Sequence, residues 1–507
     1  MVVNEANAAS NLAWVNNPAM RVFCIEPGDY RSLGMLDLTL SGTQASRRYL
    51  RFNAPAGSGT AVQRTERALF ETIRVRASWW VIQGLTVQPS NPSTYWFLSI
   101  QGGSYNVLDG NLIDGSDQAN TSSQVGILLG AWYAAPATHN WVQRNVVRNG
   151  NHSRAAVDYV GVAVNAAYDV GGDNDFNLVL DNEVYDWGDG IALTGDRSDC
   201  AYPARPHATV IDGNDIYITG DKRIDCTTGA PDPTGDCACA ENGVDLKPDP
   251  GPDPSVWTLV TNNRLWGFRP TRLPSTCGGS GAIGQAISSG NQCPGHVFVG
   301  TNVVGDAALG VEVTGPSWII AGNLVYDVHL PVGIASALLP LGTGSGLDIE
   351  FNTIVGVDNA YDDMASNTET RCNVVIDNLG LNGHGGTRGA NESTDFNFLY
   401  QSSAENFVGA TNQVFPSALQ SQNTEHCFWR KRWTSPELVC VPFGSTTAAS
   451  PHSAAVANCN PNLGAPFGIG PIGYTSGSAV PEPTGALLGS TALAGLAGLA
   501  ARRRATR

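Results

Sequence analysis

Between residues 105 and 380 the chain repeats one pattern: an aliphatic residue, two further residues, then an asparagine, usually with another aliphatic two positions on. The asparagines are Asn111, Asn145, Asn182, Asn214, Asn263, Asn302, Asn323, Asn352 and Asn378. Three positions before them stand Leu108, Val142, Val179, Ile211, Val260, Val299, Ile320, Ile349 and Val375. The intervals run 34, 37, 32, 49, 39, 21, 29 and 26, a floor near 21 residues carrying insertions of variable length. Such spacing describes coils with loops, not the fixed period of a helical solenoid.

The runs entering each asparagine, such as Thr209-Val210-Ile211 and Trp318-Ile319-Ile320, are short and β-branched and predict strands. Each strand ends at an Asn, a residue that tolerates the left-handed backbone of a sharp bend. If equivalent strands stack at about 4.8 Å, the amides fall above one another and form an inward ladder. A second phrase, Gly-aliphatic-x-aliphatic, recurs at Gly126, Gly161, Gly190, Gly243 and Gly310. With a period of two, its aliphatics point into the core and the residues between them point to solvent.

These phrases resemble right-handed parallel β-helix proteins, the architecture of pectate, alginate and chondroitinase B-type lyases, of polygalacturonases and of many bacterial surface proteins. The resemblance covers roughly residues 20–400. It implies an all-β, right-handed single-stranded parallel β-helix of about ten or more coils. Ile25-Glu-Pro-Gly-Asp-Tyr30 resembles the opening phrase of such folds, and Trp79 to Leu85 matches the coil phrase with Gly84 in the asparagine slot. The expected organisation is an N-terminal cap and first coils over 1–75, the β-helix over 76–404, and a cysteine-bearing cap and linker over 405–478. A sorting or anchor segment follows over 479–507. The run Trp429-Arg430-Lys431-Arg432-Trp433 reads as a cluster covering the last coil, with sugar stacking or polyanion binding as its other use.

Composition adds a compartment. The 58 glycines and 15% charged residues suit a turn-rich all-β chain. With 45 Asp+Glu against 29 Lys+Arg, binding of nucleic acid or anionic membrane by the body is excluded as a general property. Eleven cysteines lie mostly outside the strand phrases, which fits disulfides in an oxidising compartment, with Cys277–Cys293 and Cys427–Cys440 as the expected pairs. Cys237-Ala-Cys239 lacks the spacing of a zinc site. At the C-terminus Pro481-Glu482-Pro483 precedes an apolar stretch from about Thr484 to Ala501, and then Arg502-Arg503-Arg504. This tail is long enough for a transmembrane-type helix and basic at its cytoplasmic end. It resembles the PEP-CTERM sorting signal of Gram-negative bacteria, which implies an exosortase-type processing enzyme, a transient inner-membrane anchor and delivery to the cell surface or extracellular matrix. A plain tail anchor is the other reading. A secretion signal is expected with it, yet Met1-Val-Val-Asn-Glu-Ala-Asn has no apolar stretch, so a truncated or wrongly assigned start is expected.

The longest insertion points to a site. From asparagine to the next phrase takes 29 residues between Asn214 and Gly243, against 8 between Asn182 and Gly190. This loop carries Lys222, Arg223, Asp225 and Glu241 and leads into Gly243-Val-Asp245-Leu-Lys247. Alternation puts Asp245 and Lys247 on the solvent side, with Thr194 one coil earlier and Glu312 two coils later as stacked neighbours. Glu241, Asp245 and Asp225 are the expected ligands of a Ca²⁺ ion, a hard cation that takes oxygen donors. Lys222, Arg223, Thr194 and Glu312 are the expected substrate contacts.

Such a wall suits β-elimination of a polyuronate: a cation neutralises the uronate carboxylate and a basic side chain takes the acidified proton. Chondroitinase B-type lyases use a strand lysine and an arginine about one coil later. The resemblance therefore implies Lys247, Arg269 and Arg272 as catalytic residues, although Arg269-Pro-Thr-Arg272 departs from that family's Arg-His-Gly. A carboxylate beside Lys247 raises its pKa and opposes a base role unless a metal occupies it. Hydrolysis ranks lower on motifs: Asp362-Asp363 and His384-Gly385 lack the Asn-Thr-Asp and Arg-Ile-Lys of polygalacturonases. A polysaccharide lyase and a non-catalytic adhesin or biofilm-matrix protein stand as equal readings, both with extracellular polysaccharide as partner.

Overall fold

In the computed structural model, residues 1–444 are described apart from 10–11, 55–58, 92–93, 117–123, 131–135, 151–158, 166–173, 195–205, 226, 236, 239, 248–254, 270–283, 290–295, 314–317, 329–335, 341–346, 351, 363–367, 372, 377–383, 386–392, 396–397, 401–412 and 416–422. Successive strands visit three sheets in turn. Val107–Asp109 lies in the first, Leu112–Asp114 in the second, Gln124–Gly130 in the third, and Trp141–Gln143 returns to the first. Every neighbouring pair within these sheets is parallel, as in Leu108 beside Val142 and Val142 beside Val179. Among the described residues the sheets contain 14, 14 and 12 strands. This is an all-β solenoid with long parallel sheets, as a parallel β-helix requires. The core is the stack of inward aliphatics, Leu108, Val142, Val179, Ile211 and Val260 all being fully buried.

The asparagine ladder runs along the corner between the first and second sheets. Each backbone N–H and each side-chain Nδ2 donates to Oδ1 of the asparagine one coil on, at 2.9–3.0 Å from Asn111 through Asn352. Nδ2 also reaches the carbonyl of the aliphatic residue in the preceding coil, as in Asn145 to Leu108 and Asn214 to Val179, both at 3.0 Å. The aliphatic thus supplies a core side chain and a ladder acceptor together.

Three expectations change. The ninth rung is Asn373, whose Oδ1 accepts from both nitrogens of Asn352, and the residue three before it is Thr370. Asn378 lies outside the described residues. The slot assigned to Gly84 belongs to Leu85, whose N–H donates to Asn111 Oδ1 at 3.0 Å. The left-handed residue is the one before each asparagine, at Gly110, Arg144, Asp181, Gly213, Asn262, Thr301 and Gly322. The asparagine's amide bonds fix it in the ladder, so the bend falls one position earlier. A shorter ladder, Asn106–Asn140–Asn177, runs along the corner before the first sheet.

The glycine phrase marks a bend entering the third sheet. A Cβ at Gly126, Gly161, Gly190 or Gly243 would stand 2.5–2.7 Å from a backbone oxygen of the next strand, so no side chain fits. After this bend Ile127, Leu129, Val162, Val164, Ile191 and Leu193 face the core. The residues between them are not solvated. Val125, Leu128, Val160, Ala163 and Ala192 form a separate buried apolar cluster against Trp96, on the outer face of the sheet.

The run at 429–433 also differs from expectation, because it covers the middle of the solenoid and not its last coil. Asn423–Arg430 and Glu437–Gly444 pair antiparallel as a hairpin. Its turn lies on the outer face of the second sheet. Trp433 and Thr434 N–H donate to Glu183 Oε2 at 2.8 and 3.1 Å, and Arg432 N–H donates to Asp215 at 3.0 Å. Trp433 Nε1 donates to the Asp181 carbonyl at 2.7 Å. Tyr185, Tyr217 and Trp266 stack along this face at 4.9 and 4.3 Å, and the Arg430 guanidinium lies 4.5 Å from the Trp266 ring centre. Opposite charge and ring stacking hold a segment some 250 residues away in sequence. The hairpin register sets Cys427 across from Cys440, and Cys237 and Cys440 each take part in a disulfide. Among the described residues no helix is long and apolar enough to cross a membrane. Residues 479–507, with Pro481 to Pro483 and Arg502 to Arg504, and the pair Cys277 and Cys293 lie outside the described residues.

Candidate functional site

The outer face of the third sheet changes character along its length. One column reads Trp96, Val125, Val160, Asp189, Asn242 and Gln285, and the next reads Ser99, Leu128, Ala163, Ala192, Asp245 and Ser288. The register carries the second column on to Glu312. Apolar side chains therefore give way, over adjacent strands about 4.8 Å apart, to a compact polar patch that also includes Lys247. Asp189, Asn242, Asp245, Gln285 and Ser288 are all buried, while Lys247 and Glu312 are half-buried.

Three separate sets of contacts order the patch. Lys247 Nζ is ion-paired with Asp245 Oδ2. Asn242 donates from Nδ2 and its backbone N–H to Asp189 Oδ1, at 3.0 and 3.2 Å. Glu312 Oε2 accepts from Ser288 Oγ at 2.8 Å and from Gln285 Nε2. Asn242 Oδ1 is buried and takes no hydrogen bond. An orphaned buried acceptor of this kind calls for an explanation.

Charge is out of balance here. Burial, with Asp245 and Glu241 nearby, pushes the Asp189 carboxyl well above the usual carboxylate range despite Lys247 and the Asn242 amide. Burial also raises Glu312, against the bonds from Ser288 and Gln285 and with the added charge of Asp245. For Lys247 burial acts downward, but Asp245, Asp189 and Glu241 outweigh it and its pKa is raised. Lys247 is an ammonium in this setting, not a free base.

The residues singled out from sequence divide among three places. Lys247, Asp245, Glu312 and, by register, Thr194 share the third-sheet face. Asp245 is only 3% exposed, so the solvent-facing position expected for it is corrected: the neighbouring columns are themselves buried and Lys247 lies against it. Arg223 and Arg269 instead pair with Asp306, Arg223 at 2.7 Å, on a strand of the second sheet. Lys222 ends a short 3-10 turn and its charge acts on the buried Asp186. Arg272 lies outside the described residues.

The three expected Ca²⁺ ligands do not converge. Asp225 turns back on its own loop and accepts from the N–H groups of Thr227 and Thr228 at 2.9 and 2.6 Å. Among the described residues no group of three or more His, Cys, Asp or Glu is placed to hold a metal ion. Sequence reasoning passed over Asp189, Asn242 and Gln285. The signal was present in part, since Asp189 and Asn242 each stand immediately before a phrase glycine.

No family model matches the chain, and no curated protein matches it. Among solved structures, the PL6 family alginate lyase AlyGC is similar at 12% identity and a TM-score of 0.54, over 88% of this chain and 56% of that one. This chain therefore spans little more than half the length of that relative. A PL6 alginate lyase in complex with a trisaccharide is similar at 9% identity and a TM-score of 0.45, over 86% of this chain and 91% of that one. Pectate lyase Pel9A follows at 12% identity and a TM-score of 0.34, over 77% and 73%. At such identities likeness concerns the fold, and the AlyGC match agrees with the three-sheet solenoid.

Proposed function

We propose that this protein acts on an extracellular polysaccharide, bound along the outer face of the third sheet at the patch from Asp189 to Glu312. The observation that carries this reading is the replacement of an apolar outer row by stacked Asp, Asn, Gln, Ser and Glu side chains beside one lysine. Carboxyl, amide and hydroxyl groups at strand spacing match the hydroxyl-rich repeat of a sugar chain, and Lys247 supplies a cation for a uronate carboxylate. The name of the similar solved structure, an alginate lyase, supports the substrate class by analogy of fold.

Elimination with Lys247 as base asks for a neutral amine, which its pairing with Asp245 opposes. That same pair favours the second reading, a non-catalytic adhesin or matrix protein in which Lys247 only binds. Ca²⁺ stays part of the lyase reading as a proposal, tested by whether a chelator abolishes activity on the bound polymer. Delivery outside the cytoplasm belongs to the proposal, with Pro481-Glu482-Pro483 as the processing signal for an exosortase-type enzyme; tri-alanine replacement should abolish surface or matrix delivery, and unchanged delivery refutes it.

The test is direct. Purified protein is incubated with alginate, pectate, chondroitin and exopolysaccharide while binding, reducing ends and the absorbance of unsaturated ends are followed. At least one acidic polymer should bind, and Lys247→Ala should weaken binding about tenfold or more, in line with loss of a charge-assisted contact. Failure to bind any of them refutes the proposal.

A further inference from the structure

We propose that the third-sheet patch is a hydrolytic site in which Glu312 donates a proton to the glycosidic oxygen and Asp245 receives one from the attacking water. This inference rests on the polysaccharide reading and names its reaction. The two carboxyl groups have opposite environments. Asp245 is ion-paired to Lys247, the form a general base requires. Among the described residues Glu312 accepts from neutral donors, Ser288 Oγ and Gln285 Nε2, and both bond to one oxygen, Oε2. Oε1 is left to carry the proton. Burial supports this assignment by favouring the protonated form of Glu312.

Spacing and access define the stereochemistry. The register sets Asp245 and Glu312 two strands apart, about 9.6 Å between backbones at about 4.8 Å per strand. Glu312 reaches back to Ser288 on the intervening strand, and inversion asks for carboxyl groups roughly 6.5–9.5 Å apart, with room for a water between them. Asp245, at 3% exposure, is too covered to bond a sugar ring, which confines it to partners as small as water. We therefore assign inversion, not a covalent glycosyl intermediate, to this pair. Asn242 Oδ1, buried and unbonded one column away, independently marks a place where a ligand hydroxyl or water completes the patch.

The step balances without a further reactant. Water adds its oxygen to the anomeric carbon and gives one proton to Asp245. The bond from that carbon to the glycosidic oxygen breaks, and the Glu312 proton goes to the departing hydroxyl. Elimination would instead leave an unsaturated uronate.

Products from the bound polymer are scored for reducing ends, ultraviolet absorbance and anomeric configuration. Reducing ends without absorbance are expected, with inverted configuration at first release. Glu312→Gln and Asp245→Asn should each lower the rate about 10²–10⁴-fold, with polymer binding retained as proof of folding. Unsaturated products overturn hydrolysis and leave the polysaccharide reading standing. Retained configuration, or a rate that survives either substitution, overturns the residue assignment. Binding without cleavage overturns the inference alone; absence of binding overturns both.

Discussion

Two outer faces of the solenoid bury carboxyl groups and use them differently. On the second sheet Glu183 is fully buried, yet its oxygens take donors from Tyr217, Trp433 and Thr434. Asp215 beside it takes Arg264 and the Arg432 N–H. On the third sheet Asp245, Asp189 and Glu241 act on the ammonium of Lys247, and Asp245 acts in turn on Glu312. The first face is closed by the chain's own hairpin. The second retains an unbonded buried acceptor, Asn242 Oδ1, which is the condition of a site that awaits a partner. Burial alone does not separate structural from functional carboxylates; the supply of donors does.

The comparison breaks first at Glu183. Glu183→Ala strands several neutral donors beneath the hairpin, each at a cost of about 1–3 kcal/mol, measured by urea unfolding, with earlier proteolytic release of residues 423–444. A loss below about 1 kcal/mol would mean that the hairpin rests on its rings alone. Next comes Lys247→Ala, which leaves Asp245 buried without its cation and should cost about 1–3 kcal/mol. A solvated surface pair would instead give a silent melt.

A smaller effect tests the proton at Asp189. Its folded pKa lies above the ordinary value, so folding takes up a proton there. Stability from this group is present at low pH and is lost as pH climbs from about 4 toward the raised folded value. Asp189→Asn should flatten that decline across the same window, and an unchanged slope in pH-dependent melts would reject the assignment. Trp429→Ala should change least, within about 0.5 kcal/mol, because Trp429 is 60% exposed on the hairpin's far side. A larger change would bring the outer hairpin surface into the fold's support.

The sequence made the solenoid legible because a ladder residue repeats once per coil at a fixed offset from a core aliphatic. It misled at the end, where Thr370 stands before Asn373 and the better-looking Val375 precedes Asn378. Lys247, Asp245 and Glu312 could be placed on one sheet face because alternation and stacking are local rules. Arg269 was drawn to the wrong neighbourhood by its distance along the chain; Asp306, on a different sheet, claims it. The hairpin's docking ground was unreadable for the same reason. Nothing in Glu183 announces a partner 250 positions later, whereas every coil announces the next.

The ladder has a direction as well as a sequence. Each Nδ2 from Asn111 to Asn352 donates forward to the Oδ1 of the following rung as well as back to a carbonyl of the preceding coil, and each Oδ1 from Asn145 to Asn373 accepts from the preceding rung. Every rung therefore presents the same face to its neighbour, like unit cells along one axis of a crystal. Excision of the 21 residues from Asn302 to Gly322 would bring Asn263 against Asn323 in an orientation indistinguishable from the native junction. Along the ladder the molecule specifies a period more tightly than a length, while the side chains beside it differ from coil to coil, as where Gly305 packs against the Tyr326 ring.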